Sequence, residues 1–320
     1  MNIIEILAFI VPSAIFYAAP LIFTAIGGVF SERSGVVNIG LEGLMVIGAF
    51  VAIVFNLAFV DTFGSMTPWI ALIVAMFISM IFSLFHAVAS ISFRADQIVS
   101  GVALNLLAVG LTLFLVKKLF DGHGQTEMIQ ERFSRINVPI LSDIPIIGPI
   151  FFKNEYLTSF LAIAVAIVAW FVIYKTPFGL RLRAVGEHPM ATDTMGISVN
   201  KLRYIAVMIS GALAGLGGAV YSQSISLDFS HATINGQGFM ALAAMIFGKW
   251  HPIGALGAAL FFGFAQSLSV VSGDLPLIKE VPSVFLLILP YVLTILALAG
   301  FVGRADAPKA LGTPYIKGKR

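Results

Sequence analysis

The sequence contains no cysteine among its 320 residues. A disulfide framework, a thiol nucleophile, a Cys-ligated zinc and an iron–sulfur cluster are therefore excluded. Charge is scarce as well: 19 Lys and Arg with 16 Asp and Glu make up 11% of the chain, against about 25% in a soluble domain. The net charge is only +3, and no long basic stripe of the kind that follows nucleic-acid phosphates is present, so nucleic acid is not an expected partner. The chain lacks His-Glu-x-x-His, Gly-x-Ser-x-Gly and the phosphate loop Gly-x-x-x-x-Gly-Lys-Ser/Thr, and with them the common signatures of metalloprotease, serine hydrolase and ATPase. Its histidines (86, 123, 188, 231 and 251) are scattered. No catalytic residue, no metal ligand and no bound cofactor are expected.

What fills the chain is apolar surface: 59% of residues are hydrophobic and the mean hydropathy is +0.99. Nine apolar stretches stand out, over 4–30, 37–60, 68–92, 98–119, 156–174, 203–223, 237–248, 253–272 and 282–301. Most have the roughly 20 residues that a helix needs to cross a bilayer. The first is overlong and contains Pro12 and Pro20; the seventh is too short unless non-helical backbone helps it across. No Lys or Arg precedes the first stretch and no small-residue cleavage site follows it, so it is expected to stay in the membrane. The expected fold class is an all-α polytopic membrane protein with about nine transmembrane helices. Residues 1–302 form the transmembrane domain and 303–320 a cytoplasmic tail. Lys and Arg concentrate on the face holding Arg33, Arg94, the loop 175–202 and the tail. By the positive-inside rule that face is cytoplasmic, which puts the N-terminus and the loop 120–155 outside and the C-terminus inside.

Two segments share a pattern: Ile39-Gly-Leu-Glu-Gly-Leu-Met45 and Ile234-Asn-Gly-Gln-Gly-Phe-Met240. Each opens an apolar stretch, and in this topology the two stretches run in opposite directions, as in an inverted repeat. The architecture then reads four, one, four, with the fifth span and the loop 120–155 joining two halves.

An ionisable or amide side chain at membrane depth needs a partner or a purpose. Glu42 is the sharpest case, because Gly40 and Gly43 beside it let the backbone leave a regular helix. Two readings stay open: a carboxylate at a broken helix beside a polar cavity, or a headgroup-level partner for Arg33. Asn38, Asn105, Asn235 and Gln237 add amides that both donate and accept, which suits a neutral hydrogen-bonding solute. Together with Glu42 they are the candidate substrate pathway. His86, Gln223 and Gln266 are further polar groups, each explained singly by an interhelical hydrogen bond. The run Gly211-Ala-Leu-Ala-Gly215-Leu-Gly217-Gly218 reads as a close helix-packing face. In the loop 175–202, Glu187 and Pro189 suit the first turn of a short helix and Gly196 its C-terminal cap. A helix this short does not stand alone in water, so a docking partner is expected.

Two segments carry a family likeness. Pro177-Phe-Gly-Leu-Arg-Leu-Arg-Ala-Val-Gly-Glu-His-Pro-Met-Ala-Thr-Asp-Thr-Met-Gly-Ile197 resembles the coupling-helix region of ABC importer permeases in the branched-chain amino acid/ribose superfamily. Met190, Ala191, Thr192 and Gly196 occupy the marked positions of its Glu-Ala-Ala-x-x-x-Gly form, with the Glu and the second Ala replaced. Ser31-Glu-Arg-Ser-Gly-Val-Val-Asn-Ile-Gly-Leu-Glu-Gly-Leu-Met45 resembles the nucleoside, purine-type branch, and there the smaller of two permease subunits. Phe93-Arg-Ala-Asp-Gln-Ile-Val-Ser-Gly101 and Gly236-Gln-Gly-Phe-Met-Ala-Leu-Ala243 extend the likeness over nearly the whole chain. The resemblance implies a type II ABC importer-like permease in a bacterial cell membrane, without a nucleotide site of its own. It implies three kinds of partner: a second homologous permease, cytoplasmic ATP-binding subunits that use the ATP, and an extracellular substrate-binding lipoprotein. Glu187, Pro189, Met190, Ala191, Thr192 and Gly196 would then couple the chain to the ATPase. Two alternatives stay open: an ion-coupled secondary transporter of a small polar solute, and an ABC permease for a ribose-like sugar or a branched-chain amino acid.

Overall fold

The computed structural model describes residues 3–145, 147–271, 285, 288, 292 and 307–318. The helices α1 (Ile3–Arg33), α2 (Leu41–Phe63), α3 (Thr67–Ala87) and α4 (Gln97–Leu119) precede the loop 120–155, which contains β1 (Arg135–Ile136), α5 (Ile147–Phe151) and β2 (Glu155–Tyr156). After it come α6 (Leu157–Lys175), α7 (Pro177–Glu187), α8 (Pro189–Thr194), α9 (Val199–Tyr221), α10 (Gln237–Phe247) and α11 (Pro252–Val271). Single π-helical turns, Val88–Ser92 and Ser222–Ser226, prolong α3 and α9.

Among the described residues, six continuous helical stretches are long and apolar enough to cross a bilayer. The longest, Leu41–Ser92, doubles back at Gly64, whose φ of +51° suits a residue without Cβ. The Ser79 hydroxyl of α3 donates to the Leu44 carbonyl of α2 at 3.3 Å, so the two arms lie side by side and make two crossings. The chain is thus a multi-pass helical membrane protein. The predicted ninth stretch, 282–301, lies outside the described residues except for 285, 288 and 292. The overlong first stretch is one unbroken 31-residue helix with Pro12 and Pro20 inside it. Prolines are tolerated in membrane helices where neighbouring groups satisfy the backbone they free. The short seventh stretch is an 11-residue helix, and the segment leading into it, 227–236, is non-helical.

The core is built from small residues that let helices touch backbone to backbone. α9 is the central element, packed on α1, α2 and α3. A Cβ on Gly211 would land 2.5 Å from the Ser83 side chain, and one on Gly218 would collide with the Met45 carbonyl oxygen. Gly263 of α11 meets Ala14 and Ala18 of α1 in the same way. The glycine run therefore acts as the expected close-packing face.

One polar insertion breaks the all-helical pattern. β1 and β2 form a two-stranded antiparallel ribbon, Arg135 opposite Tyr156 and Ile136 opposite Glu155. The ribbon rests on α1, where the Phe16 and Tyr156 rings stack with centroids 4.5 Å apart. Glu155 is buried here, and burial pushes its carboxyl up to about 8 against the opposing pull of the Tyr156 backbone and the Arg135 charge. At the other end of the bundle, 307–318 of the predicted tail lies packed against α7, α9 and the α1–α2 linker, with Ala310 and Tyr315 buried.

Candidate functional site

The site is built where two helices begin. α2 starts at Leu41 and α10 at Gln237, and Glu42 in the first turn of α2 reaches across to the first turn of α10. Its carboxylate oxygens accept the backbone N–H groups of Gly236 and Gly238, each at 2.6 Å. The first N–H groups of a helix have no intrahelical acceptor and carry the positive end of its dipole, so an anion is well placed there. Charge-assisted bonds to backbone donors are among the stronger ones available in a membrane protein. Glycine makes the approach possible: a Cβ on Gly238 would sit 2.5 Å from the Glu42 N and Cα, and Gly236 has φ +81°. Glu42 is 7% exposed. It does not pair with Arg33, whose guanidinium instead donates to the Trp250 and Lys249 carbonyls and the Tyr174 hydroxyl.

The linker between α1 and α2 has no helical hydrogen bonds of its own over 37–39, and side chains from α3 and α4 bond its backbone instead. Gln97 of α4 accepts the Val37 N–H at 2.7 Å. The His86 Nε2 of α3 lies 2.9 Å from the Val37 carbonyl and its Nδ1 3.0 Å from the Ser100 hydroxyl, which assigns the proton to Nε2 and the acceptor role to Nδ1. Asn38 donates to the Ser210 hydroxyl of α9 at 2.8 Å, and its Oδ1 has no donor among the described residues. Asn105 is bidentate: it accepts the Gly43 N–H at 2.7 Å and donates to the Ile39 carbonyl at 3.0 Å. Irregular backbone at membrane depth is tolerated where protein groups satisfy it in this way.

Of the five predicted pathway residues, the structure brings Asn38, Glu42 and Asn105 together in this clasp, each bonded to protein. Gln237 is half-buried and its amide accepts from Gln266 at 3.3 Å, while Asn235 is exposed. His86 and Gln223 make the expected bonds between elements, Gln223 with Asn56 at 3.0 Å and the Pro68 carbonyl at 3.2 Å. Asn56, Gln97 and Ser210 were missed from the sequence. Asn56 is a lone amide in an apolar run and could have been found on that ground; Ser210 is too common a helix residue to stand out.

The loop 175–202 is two helices rather than one. Glu187, expected in the first turn of the short helix, instead closes α7, an 11-residue helix whose start is capped by the Thr176 hydroxyl accepting from Gly179 N–H. The short helix α8 begins at Pro189 and contains Met190, Ala191 and Thr192, of which Met190 and Ala191 are exposed. Gly196 stops it as expected: at φ +78° its N–H donates to the Asp193 carbonyl, and the Ile197 N–H reaches back to the Thr192 carbonyl. This is the two-bond Schellman termination.

Comparison with known proteins decides the family. Residues 10–298 match the family described as branched-chain amino acid transport system, permease component. The chain belongs to this permease family. The permease is 65% identical, over the full length of both chains, to the guanosine ABC transporter permease protein NupQ of Bacillus subtilis. It is 56% identical, again over both full lengths, to the nucleoside ABC transporter permease protein NupC of Lactococcus lactis. A more distant likeness, 28% over 82% of this chain and 74% of its relative, links it to the guanosine ABC transporter permease protein NupP of Bacillus subtilis. The permease is a transporter subunit, as the sequence predicts.

Proposed function

We propose that this permease is the smaller membrane subunit of an ATP-driven importer for nucleosides, guanosine among them, in a bacterial cell membrane. The observation that carries this reading is the full-length similarity to two nucleoside permeases, which extends through the Glu42 clasp and the coupling loop. The distant likeness to NupP supports a second, homologous permease as the other half of the pore. Cytoplasmic ATP-binding subunits dock on α8, whose exposed Met190 and Ala191 and capped C-terminus offer a short, rigid ridge. An extracellular binding lipoprotein delivers the solute. The orientation is N-terminus outside and C-terminus inside, with nine spans in an inverted four, one, four arrangement. The helix pairing supports that repeat: α1 packs on α11 as α9 packs on α3, and α2 and α10, the matched pair, meet at their N-termini.

In the mechanism this implies, closure of the ATPase dimer pushes α8 and rocks the two repeats against each other, exposing the solute path to alternate sides. Asn235 and Gln237 are the pathway residues with polar groups still open to solute. Asn38, Glu42 and Asn105 shape the path by fixing the two broken helices. The ion-coupled alternative gains no support from Glu42, since both carboxylate oxygens already hold backbone donors.

The test is uptake of radiolabelled guanosine, adenosine, uridine, ribose and leucine in cells that express the whole complex, comparing wild type with Gly196→Pro. Proline can neither adopt the left-handed conformation nor donate to Asp193. ATP-dependent nucleoside uptake that disappears in an assembled Gly196→Pro complex is expected. Uptake that survives without the ATPase, or in the proline variant, would overturn the importer reading, and a preference for ribose or leucine would overturn the substrate.

A further inference from the structure

Among the described residues, the largest fully buried side chain is a cation. Arg203, in the second turn of α9, is 1% exposed, and both of its recorded bonds among the described residues run to main-chain carbonyls. Its Nε donates to Ser34 at 3.2 Å and its Nη1 to Thr313 at 3.0 Å. A guanidinium is expensive to bury unless something is gained by fixing its acceptors. What it fixes is two strands of irregular backbone: the linker after α1 and the C-terminal segment.

That segment bonds to the linker a second time and to α7 as well. The Gly312 N–H donates to the Gly35 carbonyl at 3.2 Å and the Ala310 N–H to the Gly186 carbonyl at 2.9 Å. Tyr315 is buried in a small apolar cluster with Val185 of α7 and Val199 and Leu202 of α9. Gly186 itself lies against the Arg33 carbonyl so closely that a Cβ there would collide with it. The linker held at Ser34 and Gly35 continues without a helical turn to Val37, Asn38 and Ile39, and from there into Glu42.

We propose that Arg203 and the C-terminal segment 308–315 form a strap that transmits movement of the coupling helices α7 and α8 to the Glu42 clasp, with Arg203 as a positioning residue for transport. The proposal rests on the coupling reading given above. α7 and α8 lie at one end of the bundle, and the clasp lies deeper, at the starts of α2 and α10. The strap is bonded to α7 through Gly186 and to the linker through Gly35, and Arg203 locks it to the linker from the α9 side. A shift of α7 therefore displaces the linker, and the linker carries Glu42 with it. A loose tail would leave the ATPase free to cycle without moving the clasp.

The experiment uses the complete complex in membranes and measures ATP hydrolysis and nucleoside uptake side by side, in wild type, Arg203→Gln, a chain truncated after residue 306, and the two changes combined. The expected result is that ATPase subunits stay bound and hydrolysis continues, while uptake per ATP falls about tenfold in each variant, within the usual range of coupling between sites. The combined variant should fall no further than either single change, because both cut the same link. Arg203→Lys keeps the charge and gives up the fork, and should restore part of the ratio. The proposal is overturned by an unchanged ratio in the truncated chain, by additive losses, or by loss of the ATPase from the truncated complex, which would make the segment a partner anchor. If Arg203→Gln does not assemble, the truncation alone decides. A wild-type complex without ATP-dependent nucleoside uptake would instead sink the importer reading itself.

Discussion

At the scale of single residues, the molecule relies on side chains that serve another segment's backbone. Glu42, Asn105, Gln97, His86 and Arg203 all bond to main-chain groups at least 49 residues away. Glu42 gives the clearest test. Glu42→Gln keeps the shape but turns one acceptor into an NH₂ that faces a backbone donor, and it removes the charge from the α10 N-terminus. A buried donor left unpaired costs about 1–3 kcal/mol. The variant should melt at a lower temperature in detergent, by several degrees, and lose most transport at normal membrane level. Unchanged melting and uptake would show that the carboxylate is dispensable to the clasp. The sequence exposed Glu42 because a charge between glycines in an apolar run is conspicuous. It could not expose the partners, since a backbone N–H has no side-chain signature and the bond spans 194 residues.

At the scale of elements, contact between helices is decided by the absence of side-chain volume. Gly218 of α9 and Gly257 of α11 make a matched pair for measurement, because a Cβ on the first strikes the Met45 carbonyl of α2 and a Cβ on the second has nothing within 4 Å. Gly218→Ala should separate α2 from α9 and cost about 1–3 kcal/mol, the usual penalty of overpacking. Gly257→Ala should leave thermal stability in detergent unchanged or slightly raised, since alanine is the better helix former. Equal melting temperatures for the two would refute the close-contact account. This packing face was legible from its four-residue glycine spacing. α7 was not, because its first four residues, Pro-Phe-Gly-Leu, look like loop chemistry, and the helix depends on the Thr176 cap and on burial of Leu182 and Val185 against neighbours far away in the chain. The continuity of α1 was not legible either: two prolines mark a break in water, where freed carbonyls meet solvent, but not in a packed membrane helix.

At the scale of the whole molecule, the two irregular regions are held apart by a single helix. α6 has 19 residues, which at 1.5 Å per residue spans about 28 Å, close to the hydrocarbon thickness. The loop 120–155 before it and the α7–α8 pair after it therefore lie at opposite ends of the bundle, whatever the absolute orientation. Basic residues cluster at the α7–α8 end, and the orientation proposed above puts that end in the cytoplasm on the positive-inside rule. The complete lack of cysteine turns this into a clean experiment, since any introduced thiol is the chain's only one. Ile140 in the first loop is 83% exposed and Met195 after α8 is 80% exposed. In intact cells a membrane-impermeant maleimide should label Ile140→Cys and leave Met195→Cys untouched, with both labelled once the membrane is opened. The reverse pattern would place α7 and α8 outside the cell, away from ATP, and the importer reading would fall with the orientation. Labelling of both sites in intact cells would mean that α6 does not cross, and the separation of solute entry from energy input would lose its structural basis.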